Sequence, residues 1–373
     1  MRKLLILSAM AVAAAACCKS GISLVPAEKF QAEQDGKQIS LYTLKAGDIT
    51  MQVTNYGGRV VSIWAPDREG RYADIETGLG SLQEYQDNDG ERVLGAAVGP
   101  VANRIGKGHF VLDGQEYNTP LNNDGNTLHG GFTGVDRMVW DVLEASRKKL
   151  VLHLVHPDGF EGFPGNLDIK MTYSLNRNNE FRVDYEATTD KPTIVNLSHH
   201  SFFNLSGDSS KSILDHELQI FADRTTPIDN LLIPLGQIAS LDGSPLDFRE
   251  PHRIGERVNE DNEQIKNGYG YDHNWILARK GEGVELAASI YDPESGRCMD
   301  VLTDQPALQF YCGNFFNGKE LDKFGTPIGY RCSFALETQK YPDSINHEGF
   351  SDTVLRPGET YTHTCIYRFG VRK

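Results

Sequence analysis

The chain has 373 residues, 39% of them hydrophobic and 24% charged, with a formal net charge of −14. Those proportions suit a soluble globular protein with a substantial core. No block of basic residues interrupts the acidic excess, which argues against nucleic acid as a partner, because neutralising phosphates needs a Lys/Arg face.

Arg2 and Lys3 precede an apolar run from Leu4 to Ala16, and Cys17 and Cys18 follow at once. A positive start, a short apolar stretch and small residues predict a secretory signal over residues 1–16. The run is too short to cross a bilayer as a helix. Ala14-Ala15-Ala16-Cys17 also resembles the bacterial lipoprotein cleavage box, in which the cysteine becomes the lipidated first residue; Ala14 stands where Leu is usual. The expectation is an exported periplasmic or cell-envelope lipoprotein, lipidated at Cys17 and touching the membrane only through that anchor. A simply secreted protein is the alternative. Loss of residues 1–16 removes Arg2 and Lys3 and no acidic residue, taking the net charge from −14 to −16.

A polar tether is expected over 17–38, followed by one large domain over 39–373. Ile49, Met51 and Val53 alternate with Thr50, Gln52 and Thr54, and the run ends at the turn-like Asn55-Tyr56-Gly57-Gly58. Ser81 to Gln86 offers a single helical turn. Leu150 to Val155 suits a buried strand. Met171 to Leu175 leads through Asn176-Arg177-Asn178-Asn179 into Phe181, Val183, Tyr185 and Ala187, which alternate with Arg182, Asp184 and Glu186. That is the pattern of a half-buried antiparallel hairpin. Further strands are expected over 217–221, 284–290, 307–311, 333–337 and 360–367, with another helical turn at Asn262 to Lys266. Many short strands punctuated by Gly, Asn, Asp and Pro predict an all-β sandwich or barrel.

Cys298, Cys312, Cys332 and Cys365 could pair after export, in three complete ways among which the sequence does not choose. Neither CxxC nor HExxH spacing is present, which argues against a structural zinc site or a zincin.

Six clusters combine polar groups with glycine or aromatic neighbours. In GPVANRIG, Asn103 and Arg104 could offer an amide and a guanidinium fork to hydroxyl groups; an ordinary surface ion pair explains Arg104 equally well. In NTLHGG, two glycines let the backbone after His129 approach closely and expose the ring, or His129 simply caps a turn. IVNLSHHSFFNL presents His199 and His200 beside aromatic surface, suited to proton transfer near a polar ring, or to one packed and one solvated imidazole. In GYDHNW, Asp272 could accept paired hydrogen bonds from vicinal hydroxyls while aromatic faces cover sugar C–H groups; an Asx-turn is the competing reading. Gln309 is the polar residue of the apolar PALQFY. Glu337 closes an apolar run in ALETQKYPD, where partial burial would raise its pKa toward that of a useful general base; a strand-end salt bridge is the alternative.

In this order, GPVANRIG, NTLHGG, VNLSHHSFFNL, GYDHNWIL, PALQFYCGNFF and LETQKYPDSIN closely resemble the aldose 1-epimerase (galactose mutarotase) family. The pieces span Gly99 to Asn346, and the flanking strands fit the same pattern. The resemblance implies a large antiparallel β-sandwich, the galactose mutarotase-like supersandwich, binding free aldohexoses such as galactose and glucose in an open groove. It implies Glu337 as the base that takes the anomeric proton and His200 as the acid that protonates the ring oxygen. His129 corresponds to a second imidazole near that oxygen, and Asn103, Arg104, Asp272 and Gln309 to groups that hold sugar hydroxyls. Ring opening moves one proton off O1 and another onto O5, so an acid and a base suffice and no cofactor or metal is expected. Two departures stand out: His199 where many relatives have Asn, which could shift the acid's pKa or change contacts near the site, and Tyr341 where Phe is common. A monomer is expected. A non-catalytic carbohydrate-binding β-sandwich would have no use for His200 together with Glu337. A glycoside hydrolase usually needs two opposed carboxylates; Glu337 with Asp272 could be nominated, but the order of the motifs argues against it.

Overall fold

The computed structural model describes residues 21–88 and 90–373; the expected leader and Cys17 lie outside the described residues. Period-two patterning organises most of the chain. Leu167–Leu175 pairs antiparallel with Glu180–Thr189, as the alternation predicts. Ile169, Met171, Tyr173, Phe181, Val183 and Tyr185 point into the core, while Asp168 and Glu186 face water. This hairpin belongs to a nine-stranded antiparallel sheet. Its order is Asp141–Ala145, Lys149–His156, Leu167–Leu175, Glu180–Thr189, Tyr361–Val371, Arg297–Thr303, Glu285–Tyr291, Glu217–Ile220 and His252–Arg253.

A second, five-stranded sheet runs Ala239–Ser240, Ala222–Thr225, Asp272–Leu277, Ala307–Tyr311 and Ala335–Gln339. Every residue of its last three strands is buried, so neither face is a water face. Register sorts the two sides. Trp275, Leu308, Phe310 and Leu336 join the main core. On the opposite face, Asn274 pairs with Gln309 and Gln309 with Glu337, while Asp272 pairs with Tyr311. Asp272, Asn274, Gln309 and Glu337 therefore share one side of the sheet, whereas His273 and Thr338 lie on the core side opposite Phe310 and Leu308. A four-stranded sheet over Leu41–Ala46, Ile49–Thr54, Arg59–Pro66 and Tyr72–Asp74 completes the larger layers, and Ala96–Val98 pairs with Ser198–His200.

Two single-turn helices form where expected, Leu82–Gln86 capped by Ser81 and Glu263–Asn267 capped by Asn262. The tether does not extend to residue 38. Ala27–Phe30 forms a 3₁₀ turn, Ala32–Gln34 and Lys37–Ile39 pair as a hairpin, and Phe30 and Ile39 are fully buried. The reason lies in Ile49–Thr54, whose polar side is also buried. Gln52 Oε1 accepts from Val25 N at 2.8 Å, and its Nε2 donates to Val25 O at 2.9 Å. The side chain completes the backbone pairing of the incoming segment, which covers the polar face of the strand. Cys298, Cys312, Cys332 and Cys365 are all free thiols.

Candidate active site

Strand alternation separates the two adjacent imidazoles. His199 turns into the core, its Nε2 2.8 Å from Ser201 Oγ and its Nδ1 3.2 Å from the Tyr173 hydroxyl, with Phe181 and Tyr367 around the ring. Burial lowers its pKa to about 3, so it is a neutral packing residue on the far side of the strand from the site. His200 faces the other way, stacked on Phe202 with centroids 4.7 Å apart. Its Nε2 lies 3.2 Å from Glu337 Oε1, and both side chains are nearly inaccessible. Ser198 Oγ donates to Thr338 O at 2.9 Å, tying the two strands that carry the pair.

Burial acts on both groups in the direction that opposes charge. It raises Glu337 well above the ordinary carboxylate range, helped by the negative charges of Asp272 and Glu91 and opposed by Arg104. It lowers His200 to about 3. Glu337 Oε2 and His200 Nδ1 are buried without a protein partner. Buried polar atoms left in that state are costly, and these two belong to residues that line the cavity.

His129 completes the group. Its ring meets His200 edge-on at 5.3 Å. Asn103 N donates to His129 Nδ1 at 3.1 Å, so the neutral ring carries its proton on Nε2. Burial, then the neighbouring His200, holds its pKa well below the usual range. Its backbone sits at φ 49°, and Gly130 follows at φ 83° with room for no Cβ, since one would stand 2.1 Å from Gly99 O. Gly130 thus lets this loop lie directly on the GPVANRIG loop, while Gly131 lies against the Glu161 side chain. His129, His200 and Glu337 are the one set of potential metal ligands among the described residues. Binding a cation through His129 Nε2 needs the proton on Nδ1, where the backbone N–H already points. The donor set therefore suits proton transfer better than metal coordination.

Asn103, Arg104, His129, His200, Asp272 and Glu337 all line a single open cavity of about 600 Å³. Arg104 Nε donates to Asn123 Oδ1 at 3.1 Å. Asp272 is buried, and its pKa is raised mainly by that burial, with Arg104 and Gln309 opposing. Gln309 stands one step back from the cavity wall: its Nε2 donates to Asp272 Oδ1 at 2.7 Å and so orients that carboxylate. Tyr341 packs on Phe350 outside the cavity.

Three contributors carry no sequence signal of their own. Half-buried Glu91 lines the cavity, and burial pushes its carboxyl up to about 7. Arg92 donates to the carbonyls of His129, Gly131 and Phe132 and to Asp136 Oδ1, pinning the His129 loop. Asp343 accepts from Gly106 N at 3.0 Å, and its own N–H donates to Arg104 O, which fixes the Arg104 turn. Glu91-Arg92 lies just ahead of GPVANRIG, and Asp343 lies inside the Glu337 motif. Proximity to those motifs was the available clue.

The sequence profile of the Aldose 1-epimerase family matches residues 40–368. Rat galactose mutarotase is 38% identical over 336 residues, covering 90% of this chain and 95% of that protein. Escherichia coli aldose 1-epimerase is 35% identical over 339 residues, covering 90% and 96%. Among solved structures, a galactose 1-epimerase from Lactobacillus acidophilus superposes with a TM-score of 0.79 at 30% identity, over 92% of this chain and 98% of that one. An aldose epimerase homologue from C. elegans shares the fold with a TM-score of 0.83 at 24% identity, over 90% of this chain and 100% of that one. With the fold, the full-length likeness and the profile in agreement, the chain belongs to the aldose 1-epimerase family and is an isomerase that interconverts the anomers of aldoses.

Proposed function

We propose that Glu337 and His200 run this isomerisation as base and acid on a free aldohexopyranose, galactose or glucose. The observation that carries the assignment is the 3.2 Å contact between Glu337 Oε1 and His200 Nε2 at the closed end of the cavity. Glu337 takes the proton of the O1 hydroxyl, and His200 gives a proton to O5. The C1–O5 bond breaks as the C1=O1 double bond forms. Rotation about C1–C2 presents the other carbonyl face, and the same two transfers in reverse close the other anomer. Ring opening converts carboxylate and imidazolium into carboxylic acid and imidazole. Burial favours that neutral pair, which supports the forward step, and ring closure restores the charges. The Nε2–H of His129 is placed to donate to an oxygen near the ring. Asp272, held by Gln309, accepts from neighbouring hydroxyls, with Arg104 and Asn103 on the same wall.

The test is polarimetric decay of freshly dissolved α-D-galactose and α-D-glucose with and without protein. Acceleration far above the buffer rate is expected for at least one sugar. A folded protein that accelerates neither overturns the reading.

We also propose that the enzyme is exported and lipidated at Cys17. Arg2, Lys3, the apolar Leu4 to Ala16 and the small residues before Cys17 support this. Radiolabelled palmitate should enter the wild-type protein and not Cys17→Ala. Equal labelling, or none in either, overturns it.

A further inference from the structure

The reaction needs a free anomeric hydroxyl and places no demand on what is attached to the rest of the sugar. A longer substrate is therefore limited only by the walls of the cavity. At about 600 Å³ and open to solvent, the cavity falls within the about 300–1,000 Å³ range that encloses drug-sized ligands, more than one hexose ring occupies.

Its mouth is aromatic in an ordered way. From the acid outward, His200 stacks on Phe202, Phe202 meets Tyr311 at 5.9 Å, Tyr311 stacks on Phe315 at 5.9 Å, and Phe315 meets Tyr269 at 5.5 Å. The inner rings are buried, whereas Phe315 is 48% and Tyr269 58% exposed. Both outer rings line the cavity, together with exposed Leu231 and the polar Asp124 and Asn230.

The two exposed rings are held in place rather than trailing in solvent. Tyr269 adopts φ 56°, a left-handed conformation that disfavours a bulky side chain. Buried Arg331 donates to Tyr269 O at 3.1 Å and to Asn314 Oδ1 at 3.0 Å. Asn314 Nδ2 in turn donates to Gly268 O and Tyr271 O, and Phe315 N donates to the Tyr311 hydroxyl. One guanidinium and one amide thus lock both ring-bearing loops together. Fixed, exposed aromatic faces flanked by hydroxyl-binding groups match the apolar C–H face and polar rim of a pyranose.

We infer that Tyr269 and Phe315 form a second subsite at the mouth, which takes the neighbouring ring of a reducing disaccharide or oligosaccharide whose reducing end lies at Glu337. The inference rests on the proposed orientation of the sugar, with its anomeric centre at the closed end.

The experiment compares D-galactose and D-glucose with lactose and maltose, using polarimetric kcat and KM and calorimetric binding, in wild type, Tyr269→Ala, Phe315→Ala and Tyr269→Phe. Each alanine variant should raise KM and Kd for the disaccharides about five- to tenfold, as expected for loss of one ring contact. Values for the hexoses should stay within about twofold, and Tyr269→Phe should behave as wild type. Disaccharide affinity unchanged in both alanine variants overturns the subsite, as does equal weakening for hexoses and disaccharides. Hexoses turned over with disaccharides excluded also overturns it while leaving the epimerase reading intact. Ring-dependent disaccharide binding without any hexose turnover keeps the subsite and sinks the proposed chemistry.

Discussion

Glu337 and His200 hold one proton between them in two arrangements, carboxylic acid with imidazole or carboxylate with imidazolium. Burial pushes Glu337 up and His200 down, so the pair titrates as a unit and the one-proton state is the working state. Below that window the pair gains a second proton and Glu337 stops acting as a base; above it the proton is lost and His200 stops acting as an acid. The kcat/KM profile should therefore be bell-shaped, and a profile with neither limb across the whole pH range in which the protein stays folded would contradict the assignment. Glu337→Gln and His200→Asn should each lower kcat by at least about 10²-fold. Glu337→Gln removes a buried, partly unpartnered carboxyl, so its thermal midpoint should not fall below wild type. Near-normal turnover in either variant, with circular dichroism unchanged, would sink that residue's role. Sequence singled out Glu337 because it closes an apolar β run, and His200 only through the likeness of VNLSHHSFFNL to the family motif. It could not say that His199 points away from the site, since a pair of histidines carries no record of which one the pleat turns inward. Glu91 was invisible for a different reason: a lone acid in a loop has no period, and its raised pKa comes from walls supplied by distant strands.

At the level of elements, legibility followed exposure to water. Leu167–Leu175 and Glu180–Thr189 have one wet face, so their alternation is plain in the residues. Ile49–Thr54 alternates just as cleanly, yet its polar face is covered, and the cover is a stretch whose few apolar residues, Val25, Phe30 and Ile39, are too scattered to read as an element. The docking therefore depends on a polar side chain. Gln52→Leu leaves the Val25 N–H and C=O without their partners and also removes the acceptor of the Ser62 hydroxyl. The expected cost is about 1–3 kcal/mol. Limited proteolysis should then cut within residues 25–39 much sooner than in wild type, with anomer interconversion retained because the segment lies away from the cavity. Unchanged protection would show that Phe30 and Ile39 hold the segment by themselves.

Across the whole molecule, the buried titratable groups respond to acid with opposite signs. Buried carboxyls such as Asp74, Glu76 and Glu337 have raised pKa values, so the folded state takes their protons first and gains stability as the pH falls toward the ordinary carboxylate value. Buried histidines do the reverse. His156, His216, His273 and His363 are each lowered to about 4, so between pH 6.5 and that value the unfolded chain binds protons that the folded chain refuses. The two sets offset each other, and a single variant is needed to expose one of them. His156 is the cleanest choice: burial alone causes its shift, its Nε2 has no partner, and its neighbours are the rings of Phe160 and Phe163. Its contribution is fully present above pH 6.5 and is lost as the pH drops toward 4. At pH 5 it should cost the wild-type fold about 2 kcal/mol relative to pH 8. Urea unfolding of wild type and His156→Leu at both pH values isolates that term. The variant should gain about 2 kcal/mol on wild type in moving from pH 8 to pH 5, whatever its packing costs at pH 8. An equal difference between the two proteins at both values would mean that the His156 ring is protonated, or open to water, in the folded enzyme.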